Sequence, residues 1–222
     1  TAYRRQRQMC IRDSNRINSN VSVLRSVLRR DPVDHKMLTE QTEMIEKNTK
    51  YMSDTIGDFA NFFHPDKKET VFSLQNVISK ALELIDQRTK NVEIKTMSNK
   101  DIELFSFQKE YLQVLLIILN NAIDNFESKA IKEPKIDIII KEHDGMATLA
   151  ICDNGGGVAE GDIDRIFDPY YTTKFAKEGT GLGLYVAKMM IENSMQGQLL
   201  VKNQNGGACF EIITPPAGEI NV

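Results

Sequence analysis

An acid, an amide and three glycines follow one another in DNGGGV, residues 153 to 158, just past an alternating apolar run. Glycine beside Asp and Asn is the commonest turn chemistry, because it supplies positive φ and local side-chain to backbone bonds. Taken alone the string is a turn before it is a site, so its surroundings must decide. A second polar group interrupts an apolar stretch: Asn120 and Asn121 follow VLLIIL in a helical pattern. Asn has poor helix propensity, and burying it without a partner costs about 1–3 kcal/mol. Asn121, Asp124 and Asn125 stand at i, i+3 and i+4 and share a face. Their oxygens suit a hard cation such as Mg²⁺, which keeps waters and bridges phosphates; a helix that merely surfaces here is an equal alternative. In the third group, EGTGLGLYVAKMMIE, Gly179, Gly181 and Gly183 remove side chains as a helix begins. Free N–H groups and the helix dipole suit an anion there. Gly-x-Gly-x-Gly is weak evidence by itself, and the Walker A ending Gly-Lys-Ser/Thr is missing. Between the glycine clusters, DRIFDPYYTTKFAKE offers Lys174 as a point charge for phosphate and Phe167 to pack or gate. The stretch from Ala159 to Gly179 contains little to fix it and is expected to act as a mobile flap over a ligand.

Two kinds of element must carry these groups. Val21, Val23, Leu24, Val27 and Leu28 recur with helical spacing until RRDPVD breaks the pattern at Pro32. A second stripe of Met37, Leu38, Met44, Ile45, Met52, Ile56, Phe59 and Phe63 runs to Pro65, so residues 15 to 64 read as a helical hairpin. One hairpin buries only part of two stripes, which makes a homodimer completing a four-helix bundle the economical expectation. Past the polar HPDKKET the pattern mixes. TVFSL, VEIKTM and IELFSF read as strands, LQNVISKALELIDQ as an amphipathic helix, and residues 108 to 131 as a long helix buried on every side at VLLIIL. KIDIIIKEH and MATLAICDN flank His143-Asp144-Gly145 as a hairpin, GLGLYVAKMMIENS is a helix, and QLLVKNQNGGACFEIIT closes as another hairpin. The expected fold is α+β: a hairpin domain over 1–66, then an α/β sandwich over 67–222 with helices on one face of a sheet.

Composition narrows the partners. A net charge of -3 gives no global case for nucleic acid or an anionic membrane. Eight of ten arginines lie in residues 1 to 30 and every lysine from Lys36 onward; a basic partner face and a solvated face both fit this asymmetry. QMCIRDS within that stretch reads as foreign to the natural gene. Cys10, Cys152 and Cys209 are odd in number and far apart, which points away from a disulfide framework or zinc site and toward a reducing, cytoplasmic setting. No run approaches the roughly 18 apolar residues of a membrane span, and with Thr1 in place of Met the chain is expected to continue upstream.

In this order QVLLIILNNAIDNF, DNGGGV, IFDPYYTTK and GTGLGL resemble the N, G1, F and G2 boxes of the sensor histidine kinases, within the wider ATPase family of gyrase, Hsp90 and MutL. The resemblance covers roughly residues 37 to 215, and YMSDTIGDFANFF is similar to the second helix of the family's dimerisation domain. It implies that Asp153 accepts a hydrogen bond from the adenine amine of ATP, that Gly155 and Gly157 let backbone approach the base, and that Asn121 holds Mg²⁺ on the triphosphate. Asp124, Asn125 and Phe167 would border the nucleotide; Thr180, Gly181, Leu182, Gly183 and Leu184 would give backbone donors to phosphate; Lys174 would approach the γ-phosphate. The implied partners are a second copy of the chain and a response regulator. Asp124 and Asn125 stand where some branches of the family place a Lys and an aromatic, although others use Asp at the first position. Two further departures stand out. Ile117 occupies the position, four residues before Asn121, where the family usually has another Asn. The family's phosphoacceptor His belongs in the first hairpin helix, yet the three histidines are His35 in a turn, His64 at the end of the second helix and His143 in a hairpin turn. Counting back puts the acceptor position near Arg4, so the chain is expected to bind Mg²⁺-ATP and to label itself little or not at all. A pseudokinase that uses ATP to set its hairpin is the alternative. An ATP-hydrolysing clamp ranks last, because Glu110 is the nearby carboxylate upstream and lies a turn or more from where a base would be needed.

Overall fold

The computed structural model describes residues 17–29, 34–46, 49, 68–98, 100–173 and 181–215. The chain divides into two compact units, Thr1–Phe63 with Thr172–Leu182, and His64–Tyr171 with Gly183–Val222. In the first, residues 17–27 (α1) and 35–46 (α2) are helical. Asp34 caps α2, its Oδ1 accepting the Met37 N–H at 2.9 Å, which is where the Pro32 break placed a helix start. Val27 is fully buried, whereas Met37, Leu38 and Ile45 are half-buried and Met44 is exposed. The expected stripe from Met52 to Phe63 lies outside the described residues.

The second unit runs β1 (Thr70–Ser73), α3 (Leu74–Leu84), α4 (Asp86–Thr89), β2 (Glu93–Ser98), β3 (Glu103–Ser106), α5 (Gln108–Ser128), β4 (Lys135–His143), β5 (Met146–Asp153), α6 (Gly183–Met189), β6 (Gln198–Gln204) and β7 (Gly207–Thr214). A 3₁₀ turn, Glu160–Asp162, precedes α6, and a π turn, Met190–Ser194, extends it. β2-β4-β5-β7-β6 form one sheet, parallel between β2 and β4 and antiparallel elsewhere. β1 and β3 stand apart as a two-stranded antiparallel pair. Each strand expected from the sequence is present; the parallel pairing and the separate two-stranded sheet were not legible in it.

Alternation explains the core. Ile136, Ile138 and Ile140 of β4 point to one buried face, and the core also takes Tyr111, Val114, Leu115, Ile118 and Leu119 of α5, which packs beside α3 (Leu74, Val77, Ile78) and the last helix (Val186, Met190, Ile191). Each such side chain contributes about 1.5–3 kcal/mol on burial. Both hairpins turn on positive φ at two successive residues, Asp144–Gly145 and Asn205–Gly206, the geometry that matches the strands' twist.

Two expectations need correction. Leu116 and Ile117 are only half-buried, because α5 lies on the sheet as a single layer and its outer side is covered in part. Cys152 and Cys209 are joined as a disulfide between β5 and β7, although 57 residues separate them. They are direct partners in the β5–β7 register, which no spacing rule reports.

Candidate functional site

The loop after β5 is held from four sides. Asn154 locks its start: its Oδ1 accepts the Lys135 N–H at 2.8 Å and its Nδ2 donates to the Glu133 carbonyl at 2.8 Å. The Gly156 N–H donates to the Gly206 carbonyl at 2.9 Å. Asn203 of β6 accepts the Val158 N–H at 2.8 Å and donates to the Val158 carbonyl at 2.6 Å. From the end of α5, Lys129 Nζ donates to the Gly155 carbonyl at 2.7 Å. Gly157 takes φ +67, and a Cβ there would lie 2.6 Å from Asn203 Oδ1. A Cβ on Gly207 would fall inside the Asp153 carbonyl, so the second glycine of Asn205-Gly206-Gly207 is required by contact and not by the turn.

Asp153, at the end of β5, is 7% exposed. Its Oδ1 accepts the N–H groups of Gly155 at 2.7 Å and Ala208 at 3.3 Å. Its other oxygen has no partner among the described residues. Burial pushes the carboxyl above the usual range, and the two N–H bonds and the Lys129 charge pull it back. A hydrogen-bond acceptor is thereby kept at a largely buried position. A Cβ on Gly155 would meet Asp153 Oδ1 at 3.0 Å, Asn125 Cβ at 3.3 Å and Phe126 Cδ1 at 3.4 Å, so the acid, the glycine backbone and α5 meet at one place.

α5 sorts its polar residues by face. Ile117, Asn121 and Asn125 are spaced one turn apart, with Ile117 Cγ2 3.3 Å from where a Cβ on Gly183 would stand and Asn125 against Gly155. This face therefore runs between the start of α6 and the loop of Asp153, with Asn121 midway. Asp124 was grouped with Asn121 and Asn125 from spacing, but Arg88 of α4 engages it: Nη2 lies 2.8 Å from Asp124 Oδ1 and 3.1 Å from both Glu127 oxygens. Arg88 Nη1 also donates to Asn120 Oδ1 at 2.7 Å, while Asn120 Nδ2 donates to the Leu116 carbonyl at 2.8 Å. That answers how Asn120 is satisfied in mid-helix.

The segment expected to be loose is tied over its first half. Successive turns close from Ala159 to Tyr171. Arg165 stacks on the Tyr171 ring at 4.6 Å, and Asp162 bonds the Tyr171 hydroxyl and raises its pKa. Phe167 packs edge-on against Phe210 at 6.4 Å, with Lys188 Nζ 4.7 Å above its ring. Packing, the first of its two expected roles, is what Phe167 does here. Gly181 takes φ +65, Leu182 is buried, and Leu184 lies in the first turn of α6. Lys174 and Thr180 lie outside the described residues, as does His64. His35 opens α2 on an exposed surface, and His143 ends β4 with its side chain 83% exposed beside Asp144. Glu110 is buried in the first turn of α5, about 16 Å of helix rise from Asn121, too far to act as its base.

Sequence reasoning missed Lys129, Asn203, Gly207 and Arg88. Gly207 carried a readable signal, because an Asn-Gly turn needs no second glycine. The others act through partners 26 to 45 residues away, and nothing in their own neighbourhoods announces it.

Comparison with known proteins agrees with this geometry. Residues 108–219 match the family described as histidine kinase-, DNA gyrase B-, and HSP90-like ATPase. The signal transduction histidine-protein kinase AtoS of Escherichia coli (strain K12) is 30% identical over 204 residues, 90% of this chain and 32% of that protein. The two-component sensor PprA of Pseudomonas aeruginosa is 36% identical over 108 residues, 47% of this chain and 12% of that protein. The chain thus spans about a third or less of these curated relatives' length. The catalytic domain of histidine kinase ThkA superposes with a TM-score of 0.60 at 25% identity, covering 67% of this chain and 95% of that one. ThkA in complex with its response regulator TrrA gives 0.68 at 19% identity, covering 100% of this chain and 66% of that one, and so extends the likeness in fold to the two N-terminal helices. Among the described residues no helix is long and apolar enough to cross a membrane. With its boxes in order, its helices on one sheet face and its buried acid behind a glycine loop, the chain belongs to the histidine kinase-, DNA gyrase B- and HSP90-like ATPases and carries the catalytic ATPase core of a sensor histidine kinase.

Proposed function

We propose that the chain is the ATP-dependent phosphotransfer core of a two-component sensor, which passes the γ-phosphoryl of ATP to a His and then to an Asp of a response regulator. The observation that carries the proposal is Asp153: a buried carboxylate with one oxygen fixed by two backbone N–H groups and the other open, beside glycines that a Cβ would close. That arrangement fits adenine, whose exocyclic amine is a donor. ATP would supply the phosphoryl group, and Asn121 would hold Mg²⁺, whose charge would offset that of the phosphate oxygens. Thr180, Gly181, Leu182, Gly183 and Leu184 would present backbone donors to phosphate, and Lys174 would bring a charge to its far end. Asp124 remains an indirect member, since its carboxylate is engaged by Arg88. The chain's own work is then positioning and charge placement rather than covalent chemistry.

Domain limits of 1–66 and 67–222 fit the shift from helices to mixed elements at the polar linker. The half-buried and exposed apolar residues of α2 support pairing of two copies through the hairpin. A response regulator is the second partner, and a cytoplasmic location with any membrane anchor upstream fits both. No histidine falls within residues 17–27 of α1, and His35 and His143 sit on open surface. Purified chain incubated with γ-labelled ATP and Mg²⁺, then run on a denaturing gel, is expected to bind nucleotide and stay unlabelled. Acid-labile label on the chain would assign an acceptor among its own histidines. Absence of ATP binding by calorimetry would sink the proposal.

A further inference from the structure

One of the ties on the G1-type loop comes from Lys129, a residue outside the four boxes. Lys129 is the C-cap of α5, the helix that carries Asn121 and Asn125. Its backbone N–H returns to the Asn125 carbonyl at 3.0 Å, which fixes the root of the side chain. Its ammonium donates to the Gly155 carbonyl at 2.7 Å, and a Cβ on Gly156 would stand 2.9 Å from the same Nζ. The cation therefore lies over the Gly155–Gly156 peptide, two residues past Asp153. We propose that Lys129 is a positioning residue for adenine recognition, joining the end of α5 to the glycine loop and holding the Asp153 carboxylate as a charged acceptor. This rests on the nucleotide reading given above.

The electrostatic part has one source. Among the elements packed around Asp153, α5 brings Lys129 with the uncharged Asn125 and Phe126, and β7 brings Ala208 and Cys209. β4 pairs Ile136 with Asp153, and its neighbour Lys135 is 3.3 Å from Glu93. Lys129 is the charged group whose field favours the ionised acid. An acid held ionised accepts from an amine at physiological pH; a protonated one offers a donor in its place and loses that match.

Lys129→Met, Lys129→Gln and Lys129→Arg in the full chain test the assignment, with ADP and ATP titrated by calorimetry across pH. The Met and Gln variants should bind both nucleotides about two- to tenfold more weakly, the worth of one ordinary hydrogen bond. The factor should be equal for ADP and ATP, because the contact lies at the base end. Affinity should fail at a higher pH on acidification than in wild type, and Lys129→Arg should restore both properties. Unchanged affinity and pH midpoint in correctly folded Met and Gln variants would overturn the proposal. A larger loss for ATP than ADP would also overturn it, since Lys129 would then serve phosphate. Failure of wild type to bind would instead sink the nucleotide reading. In that event the carboxyl ¹³C titration of Asp153 in nucleotide-free protein still decides: a midpoint raised in Lys129→Met and returned by Lys129→Arg supports the role, and coincident curves refute it.

Discussion

Two aspartates near α5 have been given opposite environments. Asp153 is 7% exposed and anchored through one oxygen by backbone N–H groups. The side chain of Asp124 is 34% exposed, and its carboxylate is met by the Arg88 guanidinium, which also gathers Glu127 and Asn120. Backbone donors cannot rotate away or recruit another partner, so they hold an acid in place through one oxygen. A guanidinium with five donors does the reverse, collecting acceptors from successive turns of one helix and stitching α4 to α5. A shared residue type is therefore a buried acid held by backbone in one case and a tie between two helices in the other.

The largest expected effect separates them directly. Asp153→Asn should weaken ATP binding about 10- to 100-fold, the worth of a hydrogen bond to a charged acceptor, while Asp124→Asn changes the calorimetric Kd little. Equal losses in the two variants would erase the distinction. Next in size, Gly207→Ala forces a Cβ into the Asp153 carbonyl and should destabilise the domain by about 1–3 kcal/mol in urea unfolding, as overpacking does. A wild-type midpoint would show that β7 does not brace the acid.

Protonation sharpens the comparison further. Burial, opposed by the N–H bonds and Lys129, leaves Asp153 with a folded pKa above its unfolded value of about 3.9. The folded state then binds the proton more tightly. This group's contribution to stability is greatest below the unfolded value and is lost as pH rises through the folded one. Asp153→Asn should flatten that slope, melting with wild type below about pH 4 and roughly a few degrees above it at neutral pH. Identical pH profiles would mean that burial does not penalise the charge. Smallest of all, Arg88→Met should lower stability by about 1 kcal/mol or less, as expected for partly exposed ion pairs, with ATP affinity nearly unchanged. A large loss of affinity would return Asp124 to the ligand site.

Much was open to reading in the chain alone. Alternation and turn residues are local, so every strand from TVFSL to GACFEIIT, both hairpin turns and the presence of the long helix α5 followed from sequence, whereas the half-buried side of VLLIIL did not. The order of four boxes pointed to the ATPase family because each box is contiguous and carries its own backbone logic: glycines where a helix begins, an acid where a strand ends. What tertiary structure alone decided is which of these groups meet. Strand register paired Cys152 with Cys209, removed β1 and β3 from the main sheet, and set Gly207 against Asp153. Helix rotation turned Asn125 toward the glycines and Asp124 toward Arg88, although spacing had put them on one face. Lys129 and Asn203 became clamps on the loop through contacts that span 26 and 45 residues. Local spacing limits which faces a residue can share along its own element; its partner on another element is set by register and packing, and those are properties of the folded chain.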